Sequence, residues 1–116
     1  MEPKELTALI EACAALAEVQ GGFDAYQRAA FPERGANFFA LELAGEVGEL
    51  ANMEKKLWKG QTTLKTGEPI AGFPIEDEAA DVLIALMNYC NARGVPLAAA
   101  VQRKLTVIEQ RRAGGA

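Results

Sequence analysis

A chain of 116 residues, half of them apolar, is long enough to bury one core and too short to bury a second of similar size. Sixteen acidic residues against twelve basic ones give a net charge of −4, which argues against a nucleic-acid surface. The sequence contains no histidine, so imidazole catalysis and histidine-ligated zinc are excluded. We therefore expect a single domain over residues 1–116 that binds no nucleic acid and offers oxygen atoms as metal ligands.

The two cysteines and the N-terminal residues indicate the cellular compartment. Cys13 and Cys90 each have apolar neighbours, which favours reduced thiols in a core over a disulfide. The first residues lack the basic and then apolar pattern of a signal peptide, and no uninterrupted apolar run approaches membrane-spanning length. We expect a cytoplasmic protein that binds no membrane.

Helical periodicity predicts two elements in the first third of the chain. Apolar residues recur at helical spacing from Leu6 to Ala17, and Gly21-Gly22 is expected to end this first helix. A short second helix is predicted over residues 23–30, because Phe31-Pro32 and a turn follow it.

Three longer helices are predicted beyond this point. The first covers residues 37–59, with Asn37 as the expected N-cap. Residues 60–74 are rich in glycine and proline and predict a loop long enough to act as a functional flap, although long loops can also be disordered. A second long helix is expected from Ile75 to about residue 94, and a last one over residues 97–112. No strand-like alternation persists, so the predicted fold class is all-α, a four-helix-bundle-like fold with an additional short helix.

Carboxylates interrupt the apolar stripes of both long helices. The heptad-spaced positions of the first are apolar except for Glu46, and Glu49 follows one turn later on an adjoining part of the same face. The second long helix carries Glu78 and Asp81 at the same spacing. Its other faces are apolar, so we expect Asp81 to be buried, and a buried carboxylate needs compensation.

Two kinds of compensation are open. Basic side chains such as Lys55, Lys56, Lys59 and Lys104 could neutralise part of the charge. A divalent cation could neutralise more of it, because four carboxylates without His or Cys suit Mg²⁺, or Mn²⁺. Solvated surface charge is the usual explanation of one Glu-x-x-Glu pair. Two such pairs, each set into an apolar stripe, favour a metal site.

Residues 43–52 (LAGEVGELAN) and 78–84 (EAADVLI) together resemble the MazG-like all-α nucleoside triphosphate pyrophosphohydrolases, a group that includes dCTP pyrophosphatase and dimeric dUTPase. The shared pattern is Glu-x-x-Glu, a gap, and Glu-x-x-Asp, and the gap here is 28 residues. The resemblance covers about residues 37–112. It implies a MazG-type fold and an enzyme that converts a nucleoside triphosphate to the monophosphate and pyrophosphate. It also implies Mg²⁺ held by Glu46, Glu49, Glu78 and Asp81.

The resemblance further implies contacts with the substrate. Lys104 matches a lysine that contacts the phosphates in several relatives, and Lys56 belongs to a basic pair found in some branches. Many relatives have a glutamate immediately before the first ligand, where this chain has Gly45. The catalytic base is therefore expected to be Glu46 or Glu49.

Other polar and aromatic residues are weaker candidates for the substrate pocket. Several relatives have an asparagine where this chain has Ile108, so that contact is missing or supplied by another residue. Asn52 and Asn88 are polar residues on otherwise apolar helices, and either a ligand or a hydrogen bond in the core would explain them. Trp58 and Gln27 are candidates for contact with the base, although aromatic residues at helical spacing more often belong to a core.

The predicted function is Mg²⁺-dependent hydrolysis of a ribo- or deoxyribonucleoside triphosphate. A related pyrophosphohydrolase acting on phosphoribosyl-ATP or on a modified nucleotide would share the same site. A non-catalytic helical interaction module is the alternative from another class. The apolar faces of so short a chain, together with the oligomers of its relatives, lead us to expect a homodimer or homotetramer.

Overall fold

The computed structural model describes residues 3–59 and 73–115, except for the side chains of residues 73 and 74. The described residues form five helices and no strand. The helices are α1 Lys4–Ala12, α2 Ala14–Ala30, α3 Ala36–Trp58, α4 Phe73–Arg93 and α5 Leu97–Ala113. The predicted all-α class is confirmed. The MazG-type arrangement of the helices stays a prediction.

The first helical region divides at a different residue from the one expected. The prediction that Gly21-Gly22 ends a helix is wrong, because α2 runs through both glycines. The division lies at Cys13, whose N–H is shared between the carbonyls of Leu9 and Ile10. Each glycine costs a helix about 1 kcal/mol relative to alanine. The packing of α2 against α1 and α5 is the tertiary contribution that offsets this cost.

The other boundaries lie close to their predicted positions, with one wrong cap. The N-cap of α3 is Gly35, in extended conformation, and Asn37 is already helical and forms no cap. α4 begins at Phe73, so the end of the predicted 60–74 loop is helical. Residues 60–72 of that loop lie outside the described residues.

The chain groups into two compact units, and the prediction of one domain stays a prediction. Unit 1 comprises Met1–Glu33 and Cys90–Ala116, in which α1, α2 and α5 pack against one another. Its buried residues include Ala98 and both cysteines, which are free thiols. The expectation that both cysteines lie in a core is confirmed, and they form no disulfide with each other.

Unit 2 comprises Arg34–Tyr89 and therefore contains α3 and most of α4. The predicted apolar stripe of α3 is its inward face: Phe39 is buried, and Leu43, Leu50, Met53 and Leu57 are half-buried. Unit 2 has nine acidic and five basic residues, whereas unit 1 has seven of each. The whole net charge of the chain therefore lies in unit 2.

One stretch among the described residues, Lys4–Ala30, is long and apolar enough to cross a membrane by length and composition alone. These criteria are weak evidence, because the core helix of a soluble protein also meets them. The stretch is divided at Cys13 and belongs to unit 1. The expectation that the protein binds no membrane stays a prediction.

Candidate metal centre

Three of the four predicted carboxylates lie together in unit 2. Glu46 and Glu49 are one turn apart on α3, and Glu78 lies near the start of α4. One carboxylate oxygen from each of the three lies within 4.8 Å of the other two. Ligand oxygens lie about 2.0–2.6 Å from a bound Mg²⁺ or Ca²⁺. Oxygens at the observed separations can therefore share one ion.

Asp81 is placed differently from its prediction. It is exposed, so the expectation of a buried Asp81 is wrong, and it is not one of the residues in the 4.8 Å group. An apolar surface on every side of a helix produces burial only where another element covers it. Ile84, one turn after Asp81 on the same side of α4, is also exposed. We refer to Glu46, Glu49, Glu78 and Asp81 together as the acid cluster.

Desolvation and mutual repulsion change the protonation of the two half-buried members. Burial of its carboxylate raises the pKa of Glu46, and the negative charge of Glu49 raises it further. Burial likewise raises the pKa of Glu78, and the negative charge of Glu49 raises it further. The charge of Asp81 raises the pKa of both groups, so Asp81 acts on the cluster from its exposed position. Repulsion and burial therefore favour the protonated form of these two groups in the cation-free cluster.

The described part of unit 2 offers the acid cluster no compensating cation. Oε2 of Glu46 and Oε2 of Glu78 are buried and have no hydrogen-bond partner. The described residues of this unit place no lysine or arginine within 4.0 Å of a carboxylate of the cluster. The basic partners considered from the sequence, Lys55, Lys56 and Lys59, therefore do not form ion pairs with it. Buried, unpaired carboxylate oxygens are costly, and a divalent cation would satisfy them.

The candidate substrate residues of unit 2 differ in accessibility. Asn52 is exposed one turn after Glu49, and Lys56 is half-buried two turns after it. Trp58 ends α3 with 79 % of its surface exposed. Asn88, two turns after Asp81 on α4, is only 5 % exposed. Three of the four are therefore accessible, at least in part, to a ligand in the single chain.

The two remaining candidates, Gln27 and Lys104, belong to unit 1. Gln27 is half-buried on α2, and Lys104 is exposed on α5. Their assignment to substrate contact stays a prediction.

Sequence reasoning missed Glu42 as a neighbour of the acid cluster. Glu42 lies one turn before Glu46 on α3, and its charge is a further cause of the raised pKa of Glu46. The signal was available, because residues at positions 42, 46 and 49 are spaced by four and three and so share one helical face.

Comparisons with models of protein families, with curated proteins and with solved structures find no match to this chain. Its membership of the MazG-like group stays a prediction from the residues described above.

A bound divalent cation should stabilise the folded protein. At a hundred times its dissociation constant a ligand adds about 2.7 kcal/mol to the free energy of unfolding, which is roughly 10 °C in melting temperature for a chain of this size. We expect increasing concentrations of Mg²⁺ or Mn²⁺ to raise the melting temperature of the wild type, measured by scanning calorimetry. Glu78→Gln should lose most of this increase. Glu54→Gln, on α3 outside the cluster, should keep it. A wild-type melting temperature that does not respond to either ion would contradict the metal centre.

The raised pKa values of Glu46 and Glu78 predict that the stability of the metal-free protein, kept so by a chelator, depends on pH. Because the folded state binds these protons more tightly than the unfolded state, their stabilising contribution is present at low pH and is lost as the pH rises through the folded pKa values. A Glu46→Gln/Glu78→Gln variant cannot ionise at these two positions and therefore does not lose stability in this way as the pH rises. Its free energy of unfolding in urea should exceed that of the wild type at about pH 7.5, and the difference should shrink toward about pH 4.5. A difference of the same size at every pH would be evidence against close repulsion in the folded state.

Proposed function

We propose that this protein hydrolyses a nucleoside triphosphate to the monophosphate and pyrophosphate with Mg²⁺ as its cofactor. The observation that carries the proposal is the convergence of three carboxylate oxygens within 4.8 Å, from two helices. The resemblance of residues 43–52 and 78–84 to the MazG-like enzymes supplies the reaction and the substrate class.

The residues present suit Mg²⁺ or Mn²⁺. All the candidate ligand atoms are carboxylate oxygens, which are the hard donors that these ions prefer. Glu46, Glu49 and Glu78 would hold the ion, with Asp81 as the fourth ligand that the resemblance assigns. When bound, Mg²⁺ supplies positive charge to phosphate oxygens and lowers the pKa of a bound water.

The proposed reaction needs a proton acceptor close to the attacking water. The water oxygen forms a bond to the α-phosphorus, and the bond from that phosphorus to the bridging oxygen breaks. Pyrophosphate leaves with the electron pair of that bond, and the water proton passes to a carboxylate. With Gly45 in the position where many relatives have glutamate, we assign this role to Glu46 or Glu49.

The proposed substrate contacts are of three chemical kinds: positive charges, an aromatic ring and side-chain amides. Lys56 and Lys104 supply positive charge for the phosphates, which a net charge of −4 would otherwise repel. The exposed ring of Trp58 can stack on a base. The side-chain amides of Asn52, Asn88 and Gln27 are candidates for hydrogen bonds with the nucleotide.

Self-association forms part of the proposal, because unit 2 exposes several large apolar side chains. Leu41 is 76 % exposed on α3, and Val47, Leu83 and Ile84 are exposed to a smaller extent. Covering apolar surface stabilises by about 25 cal/mol per Å². A second copy of the chain is the proposed cover, which gives the homodimer or homotetramer expected from the sequence.

Light scattering after gel filtration tests the self-association. We expect a mass of two or four chains for the wild type. Leu41→Glu should lower the mass or weaken the assembly at least tenfold in dilution. Glu5→Gln, on α1 in unit 1, should leave the mass unchanged. A wild type that is monomeric at about 100 μM, well above common oligomer dissociation constants, would contradict it.

Product analysis tests the catalytic proposal. Wild-type protein with Mg²⁺ should convert at least one nucleoside triphosphate to monophosphate and pyrophosphate, and chelator should abolish turnover. Glu49→Gln and Asp81→Asn should each lower kcat by at least about a hundredfold, because the loss of a metal ligand exceeds the typical effect of its supporting residues. Glu54→Gln is the matched control on α3 and should keep wild-type activity.

The other products and substrates distinguish the alternatives. Diphosphate and phosphate as products would keep the metal centre and overturn attack at the α-phosphorus. Phosphoribosyl-ATP and modified nucleotides belong in the same panel, since turnover of these alone would indicate the related specialised enzyme. Cation binding without turnover of any of them would favour the non-catalytic interaction module.

A further inference from the structure

Gln20 is a buried polar residue on α2 that connects three parts of unit 1. Only 8 % of its surface is exposed. Its Nε2 donates to Oδ1 of Asn91 at 3.0 Å and to the carbonyl of Val95 at 2.8 Å, and its Oε1 accepts from the N–H of Leu97 at 2.9 Å. Asn91 in turn donates through Nδ2 to the backbone carbonyl of Gln20 at 3.2 Å. All the partners are more than 70 positions away in the sequence.

The start of α5 lacks a local cap. Its N-cap position is Pro96, which has no polar side chain, and its first turn contains no acidic residue. The first N–H groups of a helix have no partner within that helix. The Leu97 N–H, which begins α5, is therefore satisfied by Gln20 from another helix. The orientation of the Gln20 amide follows from chemistry, because the Leu97 N–H can only donate and the Val95 carbonyl can only accept.

The end of α4 has the geometry that brings Val95 to the same amide. Gly94 has a φ of +67°, the left-handed conformation that glycine adopts readily. The N–H of Val95 bonds to the carbonyl of Cys90 at 2.8 Å, and the N–H of Gly94 bonds to that of Asn91 at 3.3 Å. These are the two hydrogen bonds of a Schellman motif. They pair the N–H groups of the turn and leave the Val95 carbonyl to the amide of Gln20.

We propose that Gln20 is a positioning residue: it acts from α2 as the N-cap of α5 and so fixes the first turns of the helix that carries Lys104. Lys104 lies seven residues after Leu97, which is about two turns. The capping role is independent of any activity. The consequence for substrate binding rests on the proposed function, in which Lys104 binds phosphate.

The wild type tests the cap directly by nuclear magnetic resonance. A scalar coupling across the hydrogen bond, between the Leu97 amide nitrogen and the side-chain carbonyl carbon of Gln20, should be detectable. The Leu97 amide should also exchange with solvent at least tenfold more slowly than an unpaired amide at a helix N-terminus. No coupling together with rapid exchange would overturn the proposal without any variant being made.

A matched pair of variants tests what the cap does. Gln20→Met keeps the length of the side chain and removes its hydrogen bonds, so exchange of the Leu97 amide should accelerate at least tenfold. Gln102→Met removes a comparable tie within unit 1, the hydrogen bond from Nε2 to the carbonyl of Ile10 at 2.8 Å. This control should leave the Leu97 amide protected. Equal protection in the wild type and in Gln20→Met would overturn the cap, and if Gln20→Met does not fold, the wild-type coupling decides.

Steady-state kinetics separates positioning from general loss of structure. Gln20→Met should raise KM for the nucleotide severalfold and change kcat by less than about twofold, because the acid cluster is intact. Lys104→Ala should raise KM as well, and the double variant should raise it no further than the larger single effect. An unchanged KM in an active Gln20→Met would overturn the positioning role and leave the cap. A wild type without turnover would overturn the proposed function and its kinetic consequence, while the coupling to Leu97 would still decide the cap.

Discussion

Repulsion between carboxylates at close range is the constraint around which unit 2 is organised. Three carboxylate oxygens lie within 4.8 Å of one another, and the described residues of the unit bring no basic group to them. Like charges this close repel one another, and they do so more strongly where water is partly excluded. Glu46 is nevertheless half-buried, on the same stripe of α3 as the buried Phe39. A proton relieves the repulsion in part, and a divalent cation relieves it more fully.

Much of this centre could be predicted from the sequence, because acidic residues at helical spacing interrupt apolar stripes there. Glu46 stands in a stripe that is otherwise apolar, and the structure makes that stripe the inward face of α3. Helical spacing placed Glu49 beside Glu46, and the repeat of the same spacing on the second long helix indicated Glu78. The burial of Asp81 could not be predicted in this way. An apolar helix is buried only where another surface covers it, and Ile84, one turn after Asp81 on the same side of α4, is exposed as well.

The errors in the predicted helix boundaries have the same origin. Contacts between residues distant in sequence determined the structure at positions where local patterns predicted something else. Glycine weakens a helix without ending it, so α2 continues through Gly21-Gly22 while its neighbour Gln20 is held by hydrogen bonds to α4 and α5. No local pattern marks Gln20, because every partner of its side chain is more than 70 positions away. Local signals did suffice at the end of α4, where Gly94 is followed two residues later by Pro96, a spacing found after many helices.

The most direct measurement for the central claim is anomalous scattering from crystals grown with Mn²⁺. The account predicts one strong manganese peak about 2.0–2.6 Å from carboxylate oxygens of Glu46, Glu49 and Glu78. No manganese at these residues, with the three carboxylates instead paired to lysine or arginine side chains, would contradict it.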